Sequence, residues 1–179
     1  FGDAGNDTMN GGSDNDTLNG GSDNDNLDGS SGNDTVQGGT GNDTLDGGAG
    51  VDVLSDTSII IGKLIIASGS DVFDFDSTAE IGLGAGTRDQ IVQFDDSLLA
   101  NDVIDLSTID ADGAFGNVNS FSNVILAGNQ IFSQAGQIRI VVSGDQRIIE
   151  LNTDLDTDAE AQIQVNSGGA GLDATDFIL

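Results

Sequence analysis

Along the first third of the chain an apolar residue returns every nine positions: Met9, Leu18, Leu27, Val36, Leu45 and Leu54. The stretches between them are Gly, Asn, Asp, Ser and Thr with few exceptions. Residues 2–55 divide without a slip into six nonapeptides: GDAGNDTMN, GGSDNDTLN, GGSDNDNLD, GSSGNDTVQ, GGTGNDTLD and GGAGVDVLS. Gly always holds the first place, Asp the sixth (Asp7, Asp16, Asp25, Asp34, Asp43, Asp52) and an apolar residue the eighth. The six Gly-rich residues cannot pack a core, but they turn sharply and expose carbonyl oxygens. The triplet after them makes a short strand with one inward side chain. Each nonapeptide is thus half a coil, and repeat n lies above repeat n+2.

The pattern is the G-G-x-G-x-D-x-U-x signature of a calcium-binding parallel β-helix. Two Asp columns follow from the stacking, Asp7–Asp25–Asp43 on one edge and Asp16–Asp34–Asp52 on the other. Stacked strands sit about 4.8 Å apart. Unit charges at that spacing repel by roughly 3 to 4 kcal/mol at an effective dielectric near 20. The six inward apolar residues cannot offset several such terms, so the roll requires cations between its loops.

From residue 56 the period is lost. Asp56–Ser68 carries the apolar stretch Ile59–Ile66, which caps the roll or adds strands. Gly69-Ser70-Asp71-Val72-Phe73 reads as one more partial row. Strand-like runs follow at Gln90–Phe94, Gln137–Ser143, Arg147–Leu151, Ala161–Val165 and Phe177–Leu179, with a turn over Val142–Gln146. Ser97–Asn101 and Ala127–Phe132 are read as short helices. The expected fold is all-β: a right-handed parallel β-roll over 1–55, then an antiparallel β-sandwich over 56–179. Every Phe except Phe1 lies after the repeats, where a conventional core would be.

Composition narrows the function. The 179 residues hold 31 acids and 4 bases, for a net charge of −27. That balance is wrong for nucleic acid and for an anionic membrane surface. His and Cys are absent, which excludes His-based triads and the usual zinc, haem and iron–sulfur ligands. Asp carboxylates without them are an all-oxygen donor set suited to calcium or magnesium. No apolar run reaches the roughly 18 residues of a membrane span. The chain opens at Phe1 inside a pattern, so it is expected to be the tail of a longer polypeptide.

The repeats resemble the repeats-in-toxin (RTX) β-roll of secreted bacterial proteins. The resemblance implies calcium between loops n and n+2, held by both sixth-place carboxylates and by main-chain carbonyls. Four internal sites follow: Asp7/Asp25, Asp16/Asp34, Asp25/Asp43 and Asp34/Asp52. The implied carbonyl donors are Gly2, Ala4, Gly11, Ser13, Gly20, Ser22, Gly29 and Ser31 from the lower loops. From the upper loops they are Gly21, Asp23, Ser30, Gly32, Gly39, Gly41, Gly48 and Gly50. The departures are Asp14 and Asp23 at the fourth place, Asp3 and Ser30 at the second, and Val51 at the fifth. If those Gly places need φ > 0, Asp tolerates it better than most residues.

Asp71–Phe75, Asp89–Phe94, Asp102–Ser107, Phe132–Arg139 and Asp173–Leu179 resemble, in order, the C-terminal domain of serralysin-type metalloproteases. That domain is also attached to lipases and alginate epimerases. In this likeness Asp176-Phe177-Ile178-Leu179 is an uncleaved type I secretion signal. The implied function is a non-catalytic, monomeric module, disordered without calcium and folded by it outside the cell. Its partners would be calcium, the type I machinery and an upstream domain such as a metalloprotease, lipase or alginate epimerase. Four ions would bring the net charge from −27 to about −19, still soluble. The alternative is a binding module for a polysaccharide, a surface or a protein partner; the scattered bases argue against an anionic ligand unless calcium bridges it.

Weaker motifs are read plainly. Asn152–Asp158 starts like an EF-hand but lacks its Gly and its closing Glu, so it is a solvated turn. Asp95-Asp96 is not an acid/base pair, and Gly82-x-Gly84-x-Gly86 is a flexible loop. The column Asn6, Asn15, Asn24, Asn33, Asn42 is either a flat ligand-binding face, as in some ice-binding RTX adhesins, or turn stabilisation; the second is the reading taken.

Overall fold

The computed structural model describes residues 1–55, 60–61, 64–65, 69–83, 86–92, 94, 102–109, 121, 125–127, 130–143, 146–154, 158–166, 172 and 174–179. In chain order the elements are β1 (Thr8–Ser13), β2 (Thr17–Ser22), β3 (Asn26–Ser31), β4 (Thr35–Thr40), β5 (Thr44–Asp46), β6 (Val53–Ser55), β7 (Ile60–Ile61), β8 (Leu64–Ile65) and β9 (Val72–Asp74). They continue with α1 (Thr78–Ile81), β10 (Gln90–Val92), β11 (Val103–Asp105), β12 (Ile125–Ala127), β13 (Gln137–Ser143), β14 (Gln146–Asn152), β15 (Ala161–Asn166) and β16 (Phe177–Ile178).

Odd and even repeats fall into different sheets, as the half-coil reading requires. One sheet runs β1-β3-β5-β9-β11-β16, the other β12-β13-β14-β15-β10-β6-β4-β2. Every pair from β1 to β11 in these two sheets is parallel. The inward side chains form two continuous columns. The first is Met9, Leu27, Leu45, Phe73, Ile104 and Phe177. The second is Leu18, Val36, Leu54, Ile91 and Val165. All belong to or pack against one buried cluster, with Phe73 and Phe94 rings 5.9 Å apart. Burying each large apolar side chain contributes about 1.5–3 kcal/mol. The two columns therefore nearly double the inward residues that the six repeats supply alone.

Both sheets cross residue 55 without interruption, since β5 pairs with β9 and β6 with β10. The expected antiparallel sandwich over 56–179 is not confirmed as such: its strands extend the sheets of the roll. Antiparallel pairing in these sheets is confined, among the described residues, to β13–β14–β15, and β15 joins the roll through parallel pairing with β10. Alternating apolar residues read the same at a sheet's flank as in a sandwich, so periodicity alone did not separate them. β7 and β8 form a small antiparallel pair within 56–68. Ala127 ends a strand, not a helix, and Gln130–Phe132 is irregular. Ser97–Asn101 lies outside the described residues.

Candidate calcium-binding columns

The sixth-place aspartates are bound rung to rung. The N–H of Asp7 donates to Asp25 Oδ1 (2.8 Å), Asp16 to Asp34 (2.8 Å), Asp25 to Asp43 (2.9 Å) and Asp34 to Asp52 (2.7 Å). The carboxylates of Asp25, Asp34, Asp43 and Asp52 thus each spend one oxygen on the rung below. The other points elsewhere: Oδ2 of Asp7, Asp16, Asp25 and Asp34 is buried and accepts no hydrogen bond. A buried carboxylate oxygen without a donor is costly.

The turns explain what surrounds these oxygens. A methyl carbon placed on Gly29 would meet Gly47 O at 2.5 Å and Asp34 Oδ2 at 2.6 Å. On Gly11 it would meet Gly29 O at 2.8 Å and Asp16 Oδ2 at 3.0 Å. Gly2 and Gly20 repeat the arrangement with Asp7 and Gly20 O, and with Asp25 and Gly38 O. The first place must be Gly because carboxylate and carbonyl oxygens crowd it from two successive coils. Such convergence of anionic and carbonyl oxygens suits a hard divalent cation, so the residues present fit calcium.

The remaining implied donors are placed variously. The carbonyls of Gly21, Asp23, Ser30, Gly32 and Gly41 face the same place one coil up, at Gly39, Gly41, Gly48, Gly50 and Gly69. The Ser22 carbonyl accepts the Gly5 N–H (3.1 Å), and that of Ser30 the Ala49 N–H (2.7 Å). These two carbonyls therefore keep one lone pair for another ligand.

The four departures from Gly are the four non-Gly residues with positive φ among the described residues: Asp3 (70°), Asp14 (86°), Asp23 (78°) and Ser30 (73°). The turn conformation is thus kept at those places without glycine. The Asn column is structural. Asn6 Oδ1 accepts the Asn24 N–H (3.2 Å), Asn24 that of Asn42 (2.9 Å) and Asn42 that of Ser70 (3.0 Å). On the other edge Asn15 serves Asn33 (2.9 Å) and Asn33 serves Val51 (3.0 Å). Val51 can donate its N–H to Asn33 but has no side-chain oxygen to accept the next.

The columns do not stop at residue 52. Asp43 N–H donates to Asp71 Oδ1 (2.8 Å), Asp71 to Asp102 (3.1 Å) and Asp52 to Asp89 (2.8 Å). Asp71, Asp89 and Asp102 are fully buried or nearly so. The partial row Gly69–Phe73 anticipates Asp71, whereas the sequence reading does not identify Asp89 and Asp102 as column members. Their signal was an Asp two places before an inward residue, in Asp71-Val72-Phe73, Asp89-Gln90-Ile91 and Asp102-Val103-Ile104.

A second acidic row lies on the outward side of the first sheet, Asp28–Asp46–Asp74–Asp105 in register. Burial pushes Asp46 up to about 6, reinforced by Asp28, Asp76 and Asp74 and opposed by the Gly48 N–H. The outward side of the other sheet differs. There Arg88 donates to Gln162 (3.2 Å) and Gln164 (3.1 Å), Gln162 to Glu150 (2.8 Å), and Arg139 pairs with Glu150 (2.5 Å) over the Phe132 ring. At Asn152 the loop is drawn shut by bonds to Asp158 O (3.0 Å) and from Thr153 N–H to Glu160 (2.5 Å); residues 155–157 lie outside the described residues. Gly82 packs on β15, accepting the Gln162 N–H at 3.0 Å. Asp95 and Asp96 lie outside the described residues.

The profile of the RTX calcium-binding nonapeptide repeat (4 copies) matches residues 1–36 and again residues 28–55. Among curated proteins none matches the chain. Two similar solved structures come from the mannuronan C5-epimerase of Azotobacter vinelandii. The solution structure of its AlgE6R3 subunit has a TM-score of 0.57 at 25% identity, covering 93% of this chain and 80% of that one. That of its AlgE6R2 subunit has 0.57 at 23%, covering 96% and 91%.

Proposed function

We propose that this chain, whose residues 1–55 are RTX calcium-binding nonapeptide repeats, is the non-catalytic calcium-folding module of a secreted bacterial protein. One observation carries the reading: Oδ2 of Asp7, Asp16, Asp25 and Asp34 is buried with no hydrogen-bond donor. The pairs Asp7/Asp25, Asp16/Asp34, Asp25/Asp43 and Asp34/Asp52 would hold at least four calcium ions, with carbonyls of the Gly-rich turns completing each set. Bound calcium supplies the positive charge that turns each carboxylate repulsion into two attractions.

Without calcium the columns repel and the chain stays disordered, in a form that fits a narrow export channel. Outside the cell, sites of this kind fill at about 10⁻⁴ to 10⁻³ M, and binding energy becomes folding energy. Residues 1–55 supply the six repeat aspartates of the columns, which Asp71, Asp89 and Asp102 extend. Residues 56–179 complete and close the core, and Asp176–Leu179 serve the type I machinery as in the serralysin-type domain. An upstream domain supplies the activity.

Far-UV circular dichroism, titrated from chelator to about 10 mM calcium so as to saturate such sites, tests this with magnesium as control. A cooperative gain of β signal with calcium alone is expected. A fully folded spectrum in chelator would overturn it.

A second reading is favoured by the likeness to subunits of an enzyme named for mannuronan. The chain would then bind an uronate polymer, with calcium bridging the acidic surfaces. Calcium-dependent retention on immobilised mannuronan by the folded chain would support it.

A further inference from the structure

The chain holds two Asn-Gly pairs, Asn10-Gly11 and Asn19-Gly20, each joining the ninth place of one repeat to the first of the next. They lie in β1, which pairs with β3, and in β2, which pairs with β4 and is also bonded to residues 2–5, the Gly2 N–H donating to Asn19 O at 2.9 Å. In the neighbouring rungs, paired on both sides, the ninth place is Asp28, Gln37, Asp46 or Ser55. The amides most open to attack by the following backbone nitrogen are therefore Asn10 and Asn19, the two that Gly follows.

The chemistry needs only water. The Gly11 nitrogen bonds to Asn10 Cγ, the Cγ–Nδ2 bond breaks, and Nδ2 leaves as ammonia with the proton given up by the Gly11 N–H. Water then opens the cyclic imide at either carbonyl carbon. One product is Asp; the other is isoaspartate, whose backbone runs through the side chain. A following Gly favours the first step because it has no Cβ to obstruct it.

The folded roll opposes this reaction at both places. Asn10 Nδ2 donates to Asp28 Oδ2 and to Ser30 Oγ (2.8 Å), and Asn19 Nδ2 donates to Gln37 Oε1. Both backbones lie in parallel register, Asn10 with Asp28 and Asn19 with Gln37. Swinging the amide onto the next nitrogen breaks the side-chain bonds and distorts the ladder. We infer that Asn10-Gly11 and Asn19-Gly20 are modification sites where the calcium-free chain spontaneously loses side-chain ammonia and where the folded roll is shielded. The shielding rests on the calcium-dependent folding proposed above.

The two products differ in consequence. Asp at the ninth place is what Asp28 and Asp46 already are. Isoaspartate lengthens the backbone just before Gly11 and Gly20, and Gly20 O is one of the oxygens that, with Asp7 Oδ2, crowd the Gly2 position. That shift moves the following loop out of register, so aged chain should fold less completely when calcium arrives.

The full chain is incubated at mildly alkaline pH in chelator or in millimolar calcium, then mapped by peptide mass spectrometry, with circular dichroism on the same samples. Asn10 and Asn19 are expected to convert before every other Asn, and at least about tenfold faster in chelator, as for a group reached only through opening. Asn10→Gln/Asn19→Gln, with Gln37 as precedent, should preserve refolding after long storage. Asn10→Asp/Asn19→Asp should fold with calcium from the start. Earlier conversion of other Asn residues overturns the assignment. So do equal rates in chelator and calcium when dichroism shows folding in calcium alone. If dichroism shows no calcium effect, the folding proposal fails, and the order of conversion still decides the sites.

Discussion

The carboxylate of Asp89 accepts the backbone N–H of Asp52 at 2.8 Å across 37 residues of chain. Asp52 does the same for Asp34 at 2.7 Å across 18. The contact is the same, although the segment leading to Asp89 is twice as long. What the roll repeats is the rung, an Asp followed by a strand with one inward side chain. The loop between rungs varies, and the Asp column survives it.

Asp89 separates two roles of the column. Asp89→Ala removes the acceptor of a buried N–H, a loss of about 1–3 kcal/mol. Asp89→Asn keeps an oxygen there and removes only charge. In saturating calcium, urea unfolding is expected to show Ala as the less stable variant. If the cation column reaches this rung, Asn should shift the calcium midpoint upward while leaving stability in excess calcium nearly unchanged.

Position in the column sets how many sites one Asp serves. Asp25 bonds to both Asp7 and Asp43, and Asp34 to both Asp16 and Asp52. Asp7 has one such partner, Asp25. Equilibrium dialysis should show Asp25→Ala and Asp34→Ala each losing two calcium ions, and Asp7→Ala one. Equal losses from all three would refute sharing between coils.

Asp14 and Asp23 hold φ of 86° and 78° at places where other repeats have Gly. Left-handed backbone is strained for residues with a Cβ, and Gly relieves it against a larger entropy loss on folding. Asp14→Gly is expected to stabilise the calcium-loaded roll by about 0.5 kcal/mol, and Asp14→Val to destabilise it by about 2 kcal/mol. Chemical denaturation in excess calcium measures both.

The legible part of the fold is the part with constant loops. Met9, Leu27 and Leu45 could be aligned from the nine-residue period, as could Asp7, Asp25 and Asp43. Phe73, Ile104 and Phe177 continue that column, but the Asp-to-Asp steps become 28 and 31 residues, so no period reveals them. Gly69-Ser70-Asp71 was readable because it retains the end of a turn. Asp89 and Asp102 keep only the Asp and the strand. The strands β13, β14 and β15 were located from alternation, yet their attachment to β10 depends on tertiary pairing that alternation does not encode.

The C-terminal residues have a structural role that can be tested apart from the proposed secretion signal. Phe177 sits above Ile104 as the last rung of the first sheet, and the Ile178 carbonyl accepts the Leu106 N–H at 2.9 Å. Asp176 and Phe177 are buried. Deleting Asp176–Leu179 removes that rung and uncovers Ile104. A Phe-to-Ala truncation in a core costs about 3–5 kcal/mol, so Phe177→Ala alone should raise the calcium concentration needed for folding. The ligands of residues 1–55 lie at the other end of the sheet, so their number should not change. Under the secretion-signal proposal the deletion also lowers export, whereas Phe177→Leu, which keeps an apolar rung, largely restores both. Comparing secreted yield with calcium stoichiometry for the three variants separates the roles: full export of the deletion variant would leave Asp176–Leu179 as a structural rung only.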